Sequence, residues 1–190
     1  LPLIRYQTEG KLDLIEMHRI VELYRQHDAA KDMRACLHRY IRAALDAGRY
    51  DKASDFLEES RKLACKADTP WLQAEILYFE GVITGNRKGA KKLADALSLS
   101  EKCTHKQLQL RCYTAMGDIH LSGGRLSEAW KHYILAMNIL HELTMRVPEE
   151  YRDEFLSSHR RNMIRESVFS IREKTVQKMM DSIRAEKNKH

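Results

Sequence analysis

The chain has 190 residues, 43% hydrophobic and 32% charged, enough for one domain with a core or for an elongated stack of repeats. No segment approaches 18 uncharged apolar residues and no charged-then-apolar leader opens the chain, which excludes a membrane-spanning helix and a visible secretory signal. The net charge of +6 is spread along the chain and interleaved with acids, so it reads as solvated helix faces rather than a concentrated nucleic-acid footprint.

Proline (3) and glycine (8) are scarce, while Ala, Leu, Lys, Arg and Glu dominate, and these are strong helix formers. No β-branched alternating run bounded by turn residues occurs, so an all-α fold is expected. The chain begins with Leu, which reads as a fragment of a longer protein. Cys36, Cys65, Cys103 and Cys112 form no CxxC pair and lie at no zinc-ligand spacing from a histidine. Free thiols in a reducing, cytoplasmic setting are expected, with no metal and no cofactor.

In chain order, Leu14, Ile15, Met17, Ile20, Val21 and Tyr24 recur at helical spacing and predict a helix over 12–26. A second helix is predicted over 31–47, stopped by Gly48, and a third over 51–67 with Asp51 as N-cap. Pro70 suits the first position of a fourth helix over 70–84, which Gly85-Asn86 ends. Further helices are predicted over 88–103, from 106 to Ser122-Gly123-Gly124, and over 126–145. After Val147-Pro148 come a short helix to about 157 and a long one over 160–186. Short loops imply antiparallel neighbours.

Gly48, Gly85 and Gly124 lie 37 and 39 residues apart, and each is followed five residues later by Ala53, Ala90 or Ala129. A helix–Gly turn–small residue–helix unit repeated at this period predicts a solenoid. In the copy "YTAMGDIHLSGGRLSEAWKHYILAMNIL" the residues Tyr113, Met116-Gly117, Gly124, Ala129, Tyr133 and Ala136 resemble the tetratricopeptide repeat, with His120 at the family's Tyr and His141 at its Pro. The copy around Leu37, Gly48, Ala53 and Leu57 has Ile41 in place of the small residue. The copy with Gly81 and Ala90 is one helical turn short between them.

The resemblance implies an antiparallel helix-pair solenoid over residues 1–146, with a partial repeat at 10–27 and full repeats at about 31–67, 70–103 and 106–145. A plain helical bundle is the alternative. Residues 147–190 are read as a capping helix. Its stripe Ile164, Val168, Ile171, Thr175, Met179, Ile183 covers an exposed end of the stack, and its later part either frays, links to another domain or pairs in a homodimer. The ending "VPEEYRDEFLSSHRRNMIRESV" resembles segments that close repeat arrays in large bacterial signalling and transcription-regulatory proteins.

No catalytic constellation stands out. HExxH and GxSxG are absent, and "GNRKGAKK" lacks the GxxxxGK[ST] spacing of a phosphate loop. Asp118 and His120 could pair, but a packed histidine is the simpler reading. The resemblance therefore implies a protein-interaction module whose groove would be lined by His38 and Arg42, then Glu75 and Tyr78, then Arg111, Thr114 and Asp118, taking a partner peptide or helix. The Lys and Asn clamp of the chaperone-tail-binding subset is missing. A small-molecule sensor of a transcription regulator is the alternative. A nucleic-acid-binding repeat built on Arg87, Lys88, Lys91 and Lys92 ranks lower, because no regular base-reading pattern or stacking platform accompanies those residues.

Overall fold

The computed structural model describes residues 14–27, 30–64 and 69–157, together with positions 164, 166, 168–171 and 173. Among the described residues there is no strand, and the helices pack as neighbouring pairs. They are α1 (Leu14–Gln26), α2 (Ala30–Asp46), α3 (Tyr50–Ala64), α4 (Pro70–Thr84), α5 (Arg87–Lys102), α6 (Lys106–Ser122) and α7 (Leu126–Met145). A 3-10 turn (Glu149–Tyr151) and a short α8 (Arg152–Ser157) follow, and the described positions within 164–173 are helical. The chain divides into two compact units, Leu1–Leu99 and Ser100–His190.

The boundaries follow local chemistry. Pro70 opens α4 behind an extended Thr69, as its missing N–H and fixed φ favour. Asp51 is not an N-cap: α3 already begins at Tyr50, and Asp51 lies in its first turn beside Arg49. There a backbone N–H of Lys52 and then the Arg49 side chain hold its carboxyl below the usual range. The N-cap of α6 is His105, whose Nδ1 accepts from the Leu108 N–H at 3.2 Å.

Two of the three hairpin turns are the same object, with Leu45, Gly48 and Arg49 matched by Leu121, Gly124 and Arg125. Gly48 (φ +68°) donates its N–H to Leu45 at 3.0 Å, and Arg49 donates to Ala44 at 2.8 Å. Gly124 (φ +72°) donates to Leu121 at 3.0 Å, and Arg125 donates to His120 at 2.9 Å. This double bond pattern around a left-handed residue closes the end of a helix. In both hairpins the next helix then presents a fully buried alanine, Ala53 or Ala129.

The α4–α5 turn is tighter. Gly85 (φ +61°) makes a single bond to the Gly81 carbonyl at 3.1 Å. Counting back from the turn glycine, Gly81 takes the place of Ala44 and His120, whereas the counterpart of Gly117 is Tyr78. The expected pairing of Gly81 with Ala90 is therefore one helical turn out of register, and Ala90 is only half-buried. The close contact is made instead by Gly89, where an added Cβ would lie 2.4 Å from the Gly81 oxygen. Gly81 in turn faces Leu93, whose side-chain atoms would stand 2.6–2.9 Å from a Cβ there.

The α6–α7 hairpin closes over Gly117, where a Cβ would meet the Tyr133 ring at 2.8–3.0 Å. Leu110, Ala136, Ile139, Leu140 and Ile164 form one cluster beside Tyr113, and Ala129, Tyr133 and Ile171 form another with Val168 and Leu121 at its edge. Ile164, Val168 and Ile171 thus lie against this hairpin, while Thr175, Met179 and Ile183 fall outside the described residues, as does Cys65.

Gly117→Ala is expected to cost about 1–3 kcal/mol, as overpacking does, read as a lowered urea midpoint. Gly89→Ala should cost more, because a backbone carbonyl cannot turn aside as the Tyr133 ring can. Equal costs in the two variants would contradict this packing.

Candidate functional site

Three of the residues assigned to a groove, His38, Glu75 and Tyr78, are drawn into the interior of the first unit. His38 on α2, Ser60 on α3 and Glu75 on α4 are 2%, 0% and 5% exposed. His38 Nδ1 lies 2.7 Å from Glu75 Oε2, and Nε2 lies 2.8 Å from Ser60 Oγ. With Glu75 ionised and the ring neutral, the ring proton sits on Nδ1 and Nε2 accepts from the Ser60 hydroxyl. Phe79 meets the imidazole edge-on at 5.3 Å. Tyr78 is buried beside Phe79, and Arg42 donates its Nε–H to the His38 carbonyl at 3.0 Å.

The order carboxylate–imidazole–hydroxyl is that of a nucleophilic serine relay. Burial decides against that use, since a serine with no exposed surface cannot reach a substrate carbonyl. The network instead wires three helices together, with every ring nitrogen paired. His38 and Glu75 stand 37 residues apart, the repeat spacing itself. That coincidence is the signal in the sequence that could have found the pair. Ser60 had no such mark.

A second link joins α3, α4 and α5 nearer the surface. Glu80 on α4 receives hydrogen bonds from Arg61 on α3 and Lys92 on α5. Burial pushes the Glu80 carboxyl up, but the combined pull of Lys92 and Arg61 more than offsets it and leaves it below the usual range. Lys92 therefore does not extend the basic patch. Arg87, Lys88 and Lys91 remain exposed around an open surface hollow with Asn86. The Asn86 side chain accepts from the Lys88 N–H at 2.8 Å and from the Gly89 N–H at 3.3 Å, so two of the free N–H groups at the start of α5 are already satisfied.

In the second unit, Arg111 is half-buried, and Thr114 returns its hydroxyl to the Leu110 carbonyl at 2.8 Å. Asp118 accepts from the Tyr133 hydroxyl, the same ring that lies over Gly117. Much of the Asp118 residue faces solvent, yet its carboxyl end is crowded enough that burial raises its pKa, against the opposing pull of Tyr133. Asp118 therefore does not pair with His120, which bonds Arg125. The described cysteines are free, and burial pushes Cys112 up to about 12 and raises Cys36, which makes poor nucleophiles of both. Among the described residues no cluster of His, Cys, Asp and Glu could hold a metal, and no helix is long and apolar enough to cross a membrane.

The outward faces carry large apolar groups. Trp130, Ile134 and Leu135 on α7 are each exposed, and so is Trp71 at the start of α4. Sequence reasoning did not single these out, because a surface tryptophan and a core tryptophan read alike in a helical pattern. Compared with known proteins, the chain matches no family model, no curated protein and no solved structure.

His38→Ala should cost about 3 kcal/mol, because it strips a buried carboxylate of its partner. His38→Leu combined with Glu75→Leu should cost clearly less, and urea titration of the three proteins tests the order. For Asp118 the folded pKa is raised, so the folded state holds the proton more tightly. Stability then falls as pH rises from the ordinary carboxylate value through the folded one. Asp118→Asn, which still accepts from Tyr133, should therefore match or exceed the parent at pH 7, and its advantage should vanish at about pH 3, below the ordinary Asp value.

Proposed function

We propose that the chain is a non-catalytic protein-interaction module of tetratricopeptide-like helix hairpins, serving as a regulatory scaffold within a larger signalling protein. The observation that carries this reading is the identical turn at Gly48 and Gly124, each feeding a fully buried alanine into the next helix. One hairpin design executed twice along a chain is what a repeat array requires. Such an array offers surface rather than a reaction centre.

His38 and Glu75 are committed internally and Tyr78 is buried, so the proposed binding surface lies elsewhere. Exposed apolar side chains on an otherwise charged surface suit an amphipathic peptide or helix. Trp130, Ile134 and Leu135 are the residues to bear such a partner.

The test is proximity labelling in the native cell with the full parent protein, comparing it with a Trp130→Ser, Ile134→Ser variant of unchanged melting temperature. The expected result is a set of labelled proteins reduced at least several-fold in the variant. An unchanged set would remove α7 from the interface. A parent protein that functions fully after deletion of this region would remove the interaction role altogether. The small-ligand alternative predicts instead a metabolite that raises the melting temperature.

A further inference from the structure

The α6–α7 turn holds a cluster of groups that the packing does not require and the interaction role does not use. His120 lies in the last turn of α6 and His132 in the second turn of α7. Their rings stack with centroids 5.1 Å apart and planes 20° from parallel. Arg125, in the turn, is tied to His120 twice. Its backbone N–H donates to the His120 carbonyl, and its Nε–H donates to His120 Nδ1, both at 2.9 Å.

A guanidinium has no acceptor, so the second bond exists only while Nδ1 keeps its lone pair. A proton on His120 takes that lone pair and sets two donors against each other. The neighbouring ring adds to the penalty, since two stacked imidazolium cations repel. His132 Nδ1 is buried without a hydrogen-bond partner, so no acceptor is in place to receive a charged ring there. Tyr113 lies beside His132 with ring centroids 6.2 Å apart. Glu128, in the first turn of α7, is the acid that favours a charged His120. Val168 and Ile171, packed beside the turn against Leu121, Ala129 and Tyr133, are apolar.

We propose that the His120–His132 stack is an acid-sensitive latch: protonation expels Arg125 from His120, parts the rings and opens the α6–α7 turn, loosening the positions at 168 and 171 that pack against it. Stability should follow the same direction. Burial first and then Arg125 hold His120 below the ordinary histidine value, against the pull of Glu128, and burial first and then His120 hold His132 below it. A histidine depressed in the folded state leaves stability intact above about pH 6.5. As pH falls from there toward the folded pKa, stability is lost, because the opened form takes the proton first.

The test is amide hydrogen exchange of the full chain between pH 7.5 and 5.5, corrected for intrinsic rates and read at residues 121–129. In the parent, the opening constant should rise as pH falls, by up to roughly tenfold per pH unit for each histidine that charges. His120→Gln should lower that slope, and His120→Gln with His132→Gln should abolish it. An equal rise in the parent and the double variant would overturn the proposal, as would no rise in the parent. Should the double variant fail to fold, NMR titration of the parent's labelled histidines decides the matter. Charging of His120 with no change in exchange at the turn would refute the latch.

Discussion

The structure depends on how closely two helices can approach within a hairpin. Where the chain has nothing but hydrogen at a contact, the facing backbone or ring moves in. Gly117 admits the Tyr133 ring, and Gly89 admits the Gly81 carbonyl. Contacts this short are available only to residues without a Cβ, so dispersion contacts between the two helices are gained where any other residue would hold them apart. The buried stripes follow from that approach. Ala129, Tyr133, Ala136 and Leu140 line α7 in the second unit, and Ala53, Leu57 and Ser60 line α3 in the first.

Once the helices are this close, polar side chains on the inner faces lose access to water and must pair with one another. His38, Ser60 and Glu75 do so across three helices, and Arg61, Glu80 and Lys92 do so nearer the surface. A buried hydrogen-bonded polar pair adds little net stability, but leaving one half of it unpaired is costly. Such a network therefore fixes which helix faces which more than it strengthens the fold. It also removes these residues from the role of reading a ligand. The large side chains left exposed include apolar groups on α7, Trp130, Ile134 and Leu135.

The sequence carried much of this in plain form. Helix limits set by Pro70, Gly85 and Gly124 were legible because proline and left-handed glycine act through their own backbone geometry. The packing of the second hairpin was less so, because only the facing helix shows that Gly81 lies against Gly89 and Leu93 rather than Ala90. Asp51 looked like a cap by type, yet the preceding Schellman-type turn already let the helix start one residue earlier. Burial of three candidate groove residues was less legible still. His38, Glu75 and Tyr78 look solvent-facing by type, and apart from the 37-residue spacing of His38 and Glu75 only the neighbouring helices show that they are buried.

By itself the sequence determined that the chain is helical, where most helices stop, and that small residues recur at a near-constant interval. Each of those is a local property, governed by backbone propensity and by spacing along one helix. Only the tertiary structure decided that His38 and Glu75 make an interior pair, that Gly89 rather than Ala90 takes the tight seat, and that His120 meets His132 and Arg125 instead of Asp118. These depend on which faces meet across a turn. A rotation of one helix by a single residue changes that by about 100° and leaves composition and periodicity untouched.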